Sequence, residues 1–175
     1  ANVGSSDVQL ANGERLYPPR EAGEKLLAEW DQPSESVAER LILPILVPGL
    51  QEALATCPRI DRLVLFATDQ RDTEYRHTDT LHFAELVRRW LRGSETFNQR
   101  IGEIDIDTLG GTSPATYDST FSAYAARVAN LEGEAVTTCY VGVTGGTGAM
   151  NMALLFHAVR VFGERCKAIY KRPNS

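Results

Sequence analysis

Apolar and polar positions alternate between two periods along this chain. Unbroken runs of β-branched and apolar residues predict buried strands, and apolar residues three and four apart predict helices packed on them. Arg62–Thr68 (RLVLFAT) and Val136–Val143 are such runs, and so read as central strands. Ile101–Thr108 alternates instead, with Ile104 and Ile106 on one face and Glu103, Asp105 and Asp107 on the other. One wet face predicts an edge strand, with Asp105 and Asp107 as an exposed charged edge rather than a carboxylate pair. Ala1–Val3 reads as the tail of a first strand, and Lys167–Tyr170 as the last one. Val8–Pro19 reads as a loop or short hairpin with Asn12-Gly13 at its tip.

Helical spacing covers the intervals. Arg20–Trp30 carries Leu26, Leu27 and Trp30 on one face. Ser34, after the break at Gln32-Pro33, is expected to cap a helix with Val37, Leu41 and Ile45 as its stripe. Pro44 and Pro48 should interrupt that helix before it resumes to Ala55. Asp79 or Thr80 should cap the next, in which Leu81, Leu86 and Leu91 with Phe83, Val87 and Trp90 cover the sheet, and which ends at Arg92-Gly93. After the loop Gly110–Pro114, Thr116–Leu131 should turn Phe121, Tyr124, Ala125 and Val128 inward. A last helix runs from Ala149 to Gly163, with Met150, Met152 and His157 expected to pack.

Strands alternating with helices imply an α/β fold: a Rossmann-like, doubly wound, mainly parallel sheet flanked by helices. An edge strand in third position suits the strand order 3-2-1-4-5. The switch point then lies between the first and fourth strands, where ligands bind at the strand ends. The loops meeting there are Gly4-Ser5-Ser6-Asp7 and Thr144-Gly145-Gly146-Thr147-Gly148. Strand, glycine turn and helix together present backbone N–H groups to an anion, usually a phosphate. No Lys follows the glycines, so this is not a P-loop. Counting from Gly146, the third glycine of a dinucleotide fingerprint would fall on Asn151, and the last strand leads into Lys171-Arg172 where an acid is expected. The turn therefore suits a nucleotide other than NAD or a hydrolysed ATP.

Composition narrows the reading. The 175 residues make one domain, with 43% hydrophobic and 23% charged residues. A net charge of −5 argues against a surface for duplex nucleic acid. Lys occurs only at 25, 167 and 171, so the positive charge is mostly Arg, which suits bidentate phosphate contacts. Cys57, Cys139 and Cys166 are odd in number and far apart, so they indicate neither a disulfide framework nor a thiolate zinc site, and a reducing cytoplasm fits. The longest apolar run, Leu41–Val47, is too short to span a membrane and contains Pro44. His77-x-Asp79-x-x-His82 has no evident third strong partner and reads as loop and cap rather than metal site. Ala1 lies where a strand should be under way, so the N-terminus is expected to be processed or cut from something longer.

Asn2–Asp7 and Thr144–Met150 also carry a family resemblance. They resemble the two motifs of CARF domains (CRISPR-associated Rossmann fold), the second usually Thr-Gly-Gly-Thr-Lys-x-Met. The resemblance spans nearly the whole chain. It implies a homodimer that binds a cyclic oligoadenylate, most often with four adenylates, as a messenger of type III CRISPR antiviral defence. By position, Gly4, Ser5, Ser6 and Asp7 would lie beside the ring, and Thr144–Gly148 with Met150 would cradle phosphate and ribose. Thr68, Asp69 and Gln70 would meet adenine or ribose, and Arg71 with Arg76 and His77 would supply charge. No cofactor and no metal are implied. Gly148 replaces the family's Lys, which lowers the expectation of ring cleavage. The alternative remains a stand-alone, metal-independent ring nuclease. An output segment is expected ahead of Ala1, on a partner, or not at all, and some relatives carry a transmembrane output, so tethering to the inner membrane face is a further expectation.

Overall fold

The computed structural model describes residues 1–32, 36–111, 113–131 and 135–170. The expected cap Ser34, the loop residue Thr112 and the pair Lys171-Arg172 lie outside the described residues.

The centre of the sheet is β3 (Ile60–Asp69), which pairs in parallel with β4 (Ile101–Gly110) from Ile60↔Ile101 to Asp69↔Gly110. On the other edge of β3, Ala1–Val3 runs parallel. Asn2 bridges Phe66, the Val3 N–H donates to Phe66 O at 2.8 Å, and the Phe66 N–H donates to Ala1 O at 2.9 Å. β5 (Cys139–Gly142) and β6 (Cys166–Ile169) form a second parallel pair. The two pairs meet at Ala1, where a Cβ on Gly142 would lie 3.2 Å from the Ala1 Cβ. Ala1–Val3 thus lies between β3 and the β5–β6 pair, an order compatible with the expected 3-2-1-4-5, and β4 is the neighbour of β3 on its far side.

Alternation along β3 divides the core. Leu63, Leu65 and Ala67 join one buried cluster, with Leu26 of α1 (Pro19–Trp30), Leu50 of α3 (Leu46–Thr56) and Leu86 of α4 (Leu81–Gly93). Phe66 joins the other, with Tyr124 of α6 (Tyr117–Ala129) and Leu154 of α7 (Gly148–Phe162). Helices thus cover both faces, and the fold is a Rossmann-like α/β sandwich. Each fully buried Leu or Phe of these clusters contributes about 1.5–3 kcal/mol.

Three local expectations are corrected. The helix from Val37 stops at Arg40 (α2), and Leu41–Ile42 is a strand, β2, paired antiparallel with β1 (Gln9–Leu10). Leu41 is therefore not part of a helical stripe, and Ile45 is the N-cap of α3. Pro48 sits in the first turn of α3, where a missing N–H costs nothing. The apolar run from Val136 becomes regular strand only at Cys139, because its pairing partner β6 begins at Cys166. Met152 does not pack; it is 53% exposed. The Asn12-Gly13 tip is as expected, with Gly13 at φ 84° and its N–H donating to Leu10 O. A short helix, α5 (Glu95–Asn98), precedes β4.

Candidate ligand-binding site

Two loops meet at the C-terminal ends of the parallel strands. Gly4–Asp7 follows the strand pairing of Ala1–Val3, and Thr144–Gly148 links β5 to α7. They touch through glycines. A Cβ on Gly4 would lie 2.5 Å from Gly146 N, and one on Gly145 would overlap Asn2 O and lie 2.7 Å from Asp7 Oδ2. Gly146 also holds φ 76°, a left-handed conformation that a side chain disfavours.

Asp7 sits beneath this contact, 2% exposed. Its Oδ2 accepts the Gly4 N–H at 2.5 Å and closes the first loop. Burial pushes its carboxyl up to about 6, against the Gly4 N–H and the Ala1 ammonium, which pull it down. Ser5 and Ser6 stand at the surface above it.

The second loop is held from behind. Thr147 is the N-cap of α7; its hydroxyl accepts the Met150 N–H at 3.2 Å and donates to Pro114 O. That hydroxyl is therefore committed to the fold, and the loop's other hydroxyl is Thr144's. The first-turn N–H groups of Gly148 and Ala149 have no acceptor within the helix and give the site a positive end. Gly148 is exposed, and a Cβ there would meet nothing within 4 Å. Met150 is buried, its thioether sulfur 3.4 Å from where a Gly146 Cβ would stand, so it props the turn from below.

A third segment, 68–71, leaves the end of β3 beside these loops. Thr68 and Thr80 exchange hydrogen bonds, each backbone N–H donating to the other's hydroxyl at 3.1 and 3.2 Å. Thr80, though at the N-cap of α4, thus ties the helix to β3 rather than capping it. The Gln70 N–H donates to Asp79 Oδ2 at 2.7 Å. Asp79 is 1% exposed and also receives Arg20 Nη1 at 2.9 Å; burial raises its carboxyl, opposed by the Gln70 N–H and Arg20. The same Arg20 nitrogen reaches Asp69 Oδ1 at 3.2 Å, and Arg71 Nε reaches Asp69 Oδ2 at 2.8 Å. Arg71 is the exposed cation of this segment; Arg76 is exposed too, and His77 Nδ1 lies 3.0 Å from Glu74 O. Asp79 is thus tied to Arg20 and Gln70, while His82 turns to Arg20 O at 3.3 Å. Among the described residues no group of three His, Cys, Asp or Glu could hold a metal ion.

The structure brings the predicted residues Gly4, Asp7, Gly145, Gly146 and Met150 into one cluster, with 68–71 on the adjoining strand. Sequence reasoning missed Asn2, Asn151 and Tyr124, which bind them together. The Asn2 amide donates to Asn151 Oδ1 at 2.8 Å, and the Tyr124 hydroxyl donates to Asn2 Oδ1 at 2.5 Å. Two signals pointed there: a polar residue inside a buried strand tail, and an Asn where a dinucleotide fingerprint needs Gly. His157 is buried against the rings of Phe121 and Phe156, a packing residue as expected. Asp105 and Asp107 pair with different arginines, Arg62 at 2.6 Å and Arg127 at 2.8 Å, so they are not a carboxylate pair.

A chain of Csm6 from Enterococcus italicus, bound to cyclic hexa-2'-fluoro-hexa-dAMP, superimposes with a TM-score of 0.52 at 16% sequence identity. The match covers 72% of this chain and 29% of that one. The chain shares its fold with that part of Csm6. At this identity the likeness concerns the fold, and it extends to under a third of that protein's length. No family model matches the sequence, and no curated protein matches it.

Proposed function

We propose that this chain is a sensor domain that binds a cyclic oligoadenylate across the two-fold axis of a homodimer. Occupancy would switch an antiviral effector of type III CRISPR defence. The observation that carries this reading is the meeting of Gly4–Asp7 with Thr144–Gly148 at the strand ends, closed by glycines that leave no room for a side chain at Gly4, Gly145 or Gly146. It is supported by a structure of the same fold bound to a cyclic hexanucleotide analogue. In this reading the N–H groups of Gly145–Gly148 donate to phosphate, the Thr144 hydroxyl and Ser5 or Ser6 reach ribose, and Arg71 offsets charge. Thr68, Asp69 and Gln70 border the adenine.

The dimer would form on α7. Met152, Phe156 and Val159 occupy one stripe at i, i+4 and i+7, each at least half exposed. A second copy covering that stripe would set two glycine turns side by side, as a two-fold symmetric ring requires. Four adenylates are the ring size this reading favours, and the ring would stay intact, since Gly148 brings no cation to the scissile phosphate. Among the described residues no helix is long and apolar enough to cross a membrane, so any tether would come from another segment.

Calorimetric titration with cyclic tetra- and hexa-adenylate tests the reading, with the mixture then resolved by chromatography. One ring bound per two chains and recovered intact is the expected result. Linear products would make the protein a ring nuclease, and no binding to either ring would overturn the reading.

A further inference from the structure

Two cysteines that are far apart in sequence are brought side by side by the fold. β5 and β6 run parallel, and their first residues, Cys139 and Cys166, are register partners. Neighbouring strands lie about 4.7–4.9 Å apart, inside the range of roughly 4.4–6.8 Å between Cα atoms that a disulfide bridges. Both side chains leave the sheet on one face, because both pack against the cluster that holds Ala158 and Phe162 of α7. Both are reduced and half-buried. The thiols are close enough to hydrogen-bond, with Cys139 as the donor.

The third cysteine is out of reach. Cys57 packs against the other core cluster, and its thiol donates to Ala53 O at 3.2 Å. The fold therefore offers a single pairing. Burial and the neighbouring Cys166 push the Cys139 thiol up to about 11. Burial raises Cys166 as well, but the Cys139 S–H stabilises its thiolate. Cys166 is thus the sulfur that ionises first and can act as a nucleophile.

We propose that Cys139 and Cys166 form a modification site, a dithiol that a small disulfide oxidant converts reversibly into a cross-strand disulfide. The Cys166 thiolate attacks one sulfur of the oxidant, forms a mixed disulfide and expels the other half as a thiolate. Cys139 then gives up its proton, attacks the Cys166 sulfur and expels the second half. Two protein thiols are oxidised to one disulfide, and the oxidant is reduced to two thiols that carry off the two protons. The new bond closes residues 139 to 166 into a loop that contains the Thr144–Gly148 turn and all of α7. β5, which feeds that turn, pairs with β6 over only four residues, so the bond staples a short pairing.

The test needs no nucleotide, so its outcome is independent of the oligoadenylate reading. The folded chain is equilibrated with mixtures of oxidised and reduced glutathione at mildly alkaline pH, where thiolate is available. The reaction is quenched with acid, free thiols are alkylated, and linked peptides are identified by mass spectrometry. Free thiols should fall from three to one, with Cys57 alone alkylated, and dithiothreitol should restore all three. The ratio of disulfide to dithiol should exceed that of the chain unfolded in guanidinium by about tenfold or more, because the folded register holds the sulfurs together. Cys139→Ser should stop at the mixed disulfide of Cys166 with glutathione. Three thiols that persist, a link that includes Cys57, a ratio no higher than that of the unfolded chain, or a Cys166 that takes up no glutathione in the variant overturns the proposal.

Discussion

Asn2 and Asn151 are joined side chain to side chain at 2.8 Å, across 149 residues of sequence, and the Tyr124 hydroxyl completes the link at Asn2 Oδ1. This chain of amides fastens the first strand to α7 where the two glycine loops touch. Asn2→Ala leaves the buried Tyr124 hydroxyl without its acceptor and the half-buried Asn151 Oδ1 without its donor, which costs about 1–3 kcal/mol. The melting temperature should fall by roughly 2–4 °C per kcal/mol, measured by scanning calorimetry. Affinity for the ring should fall with it, while secondary structure by circular dichroism stays unchanged.

The glycines are predicted to differ sharply in tolerance. Gly4→Ala sets a methyl 2.5 Å from Gly146 N, which is backbone and must move, so ring affinity should drop at least tenfold, or about 1.4 kcal/mol. Gly148→Ala points into open space and should change nothing. Gly148→Lys has the same room and should tighten binding roughly tenfold by a charge-assisted bond to phosphate, about 1.4 kcal/mol. Titration calorimetry on the three variants checks the order.

Asp7 makes stability depend on pH in an unusual direction. Its folded pKa, about 6, lies above the ordinary 3.8 of the free side chain. Between those values the folded state binds the extra proton, so the contribution of this group is full below pH 3.8 and is lost as pH rises through about 6. The loss amounts to about 3 kcal/mol at neutral pH, from 1.36 kcal/mol per unit. Asp7→Asn keeps an oxygen for the Gly4 N–H and never charges. It should melt higher than the parent at pH 7 and flatten the profile between pH 4 and 6; an unchanged slope would refute this account.

Arg20 holds the segment after β3 from the other side of the sheet. Arg20→Ala removes the cation from the buried Asp79 and should cost about 3–5 kcal/mol. In urea the midpoint should shift downward accordingly. Exchange of the Gln70 amide should accelerate beyond that of the core, since Asp79 would be free to leave it.

Two charges on α7 test the dimer. Met152→Glu with Val159→Glu places acids on half-exposed positions, so the protomer should fold as before. On the proposed dimer, sedimentation should report a dimer for the parent and a monomer for this variant, and ring binding should weaken with it.

Local chemistry was legible in the sequence. Gly145 and Gly146 between a β-branched run and a helical period mark a strand-to-helix turn, because glycine supplies the left-handed φ at Gly146 and the close approach at Gly145. Asn12-Gly13 marked a hairpin tip for the same reason. The alternation of β4 disclosed an edge, since side chains of a strand point to opposite faces whatever the rest of the chain does. These are properties of neighbours a few bonds apart.

Tertiary structure decided the rest. Leu41–Ile42 extends because Gln9–Leu10 lies beside it, and a two-residue strand has no periodicity to read. Met152 and Met150 are indistinguishable in composition and two residues apart, yet one faces solvent and the other the Gly146 turn, which only the packing of α7 on α6 determines. Asp7 reads as a turn former at the surface; its burial follows from Gly145 closing over it. Asn2, Tyr124 and Asn151 meet because three elements converge, and Arg20 reaches Asp79 across 59 residues. The glycine loop is written into its own residues, whereas what holds it in place depends on contacts between segments that the chain brings together only by folding.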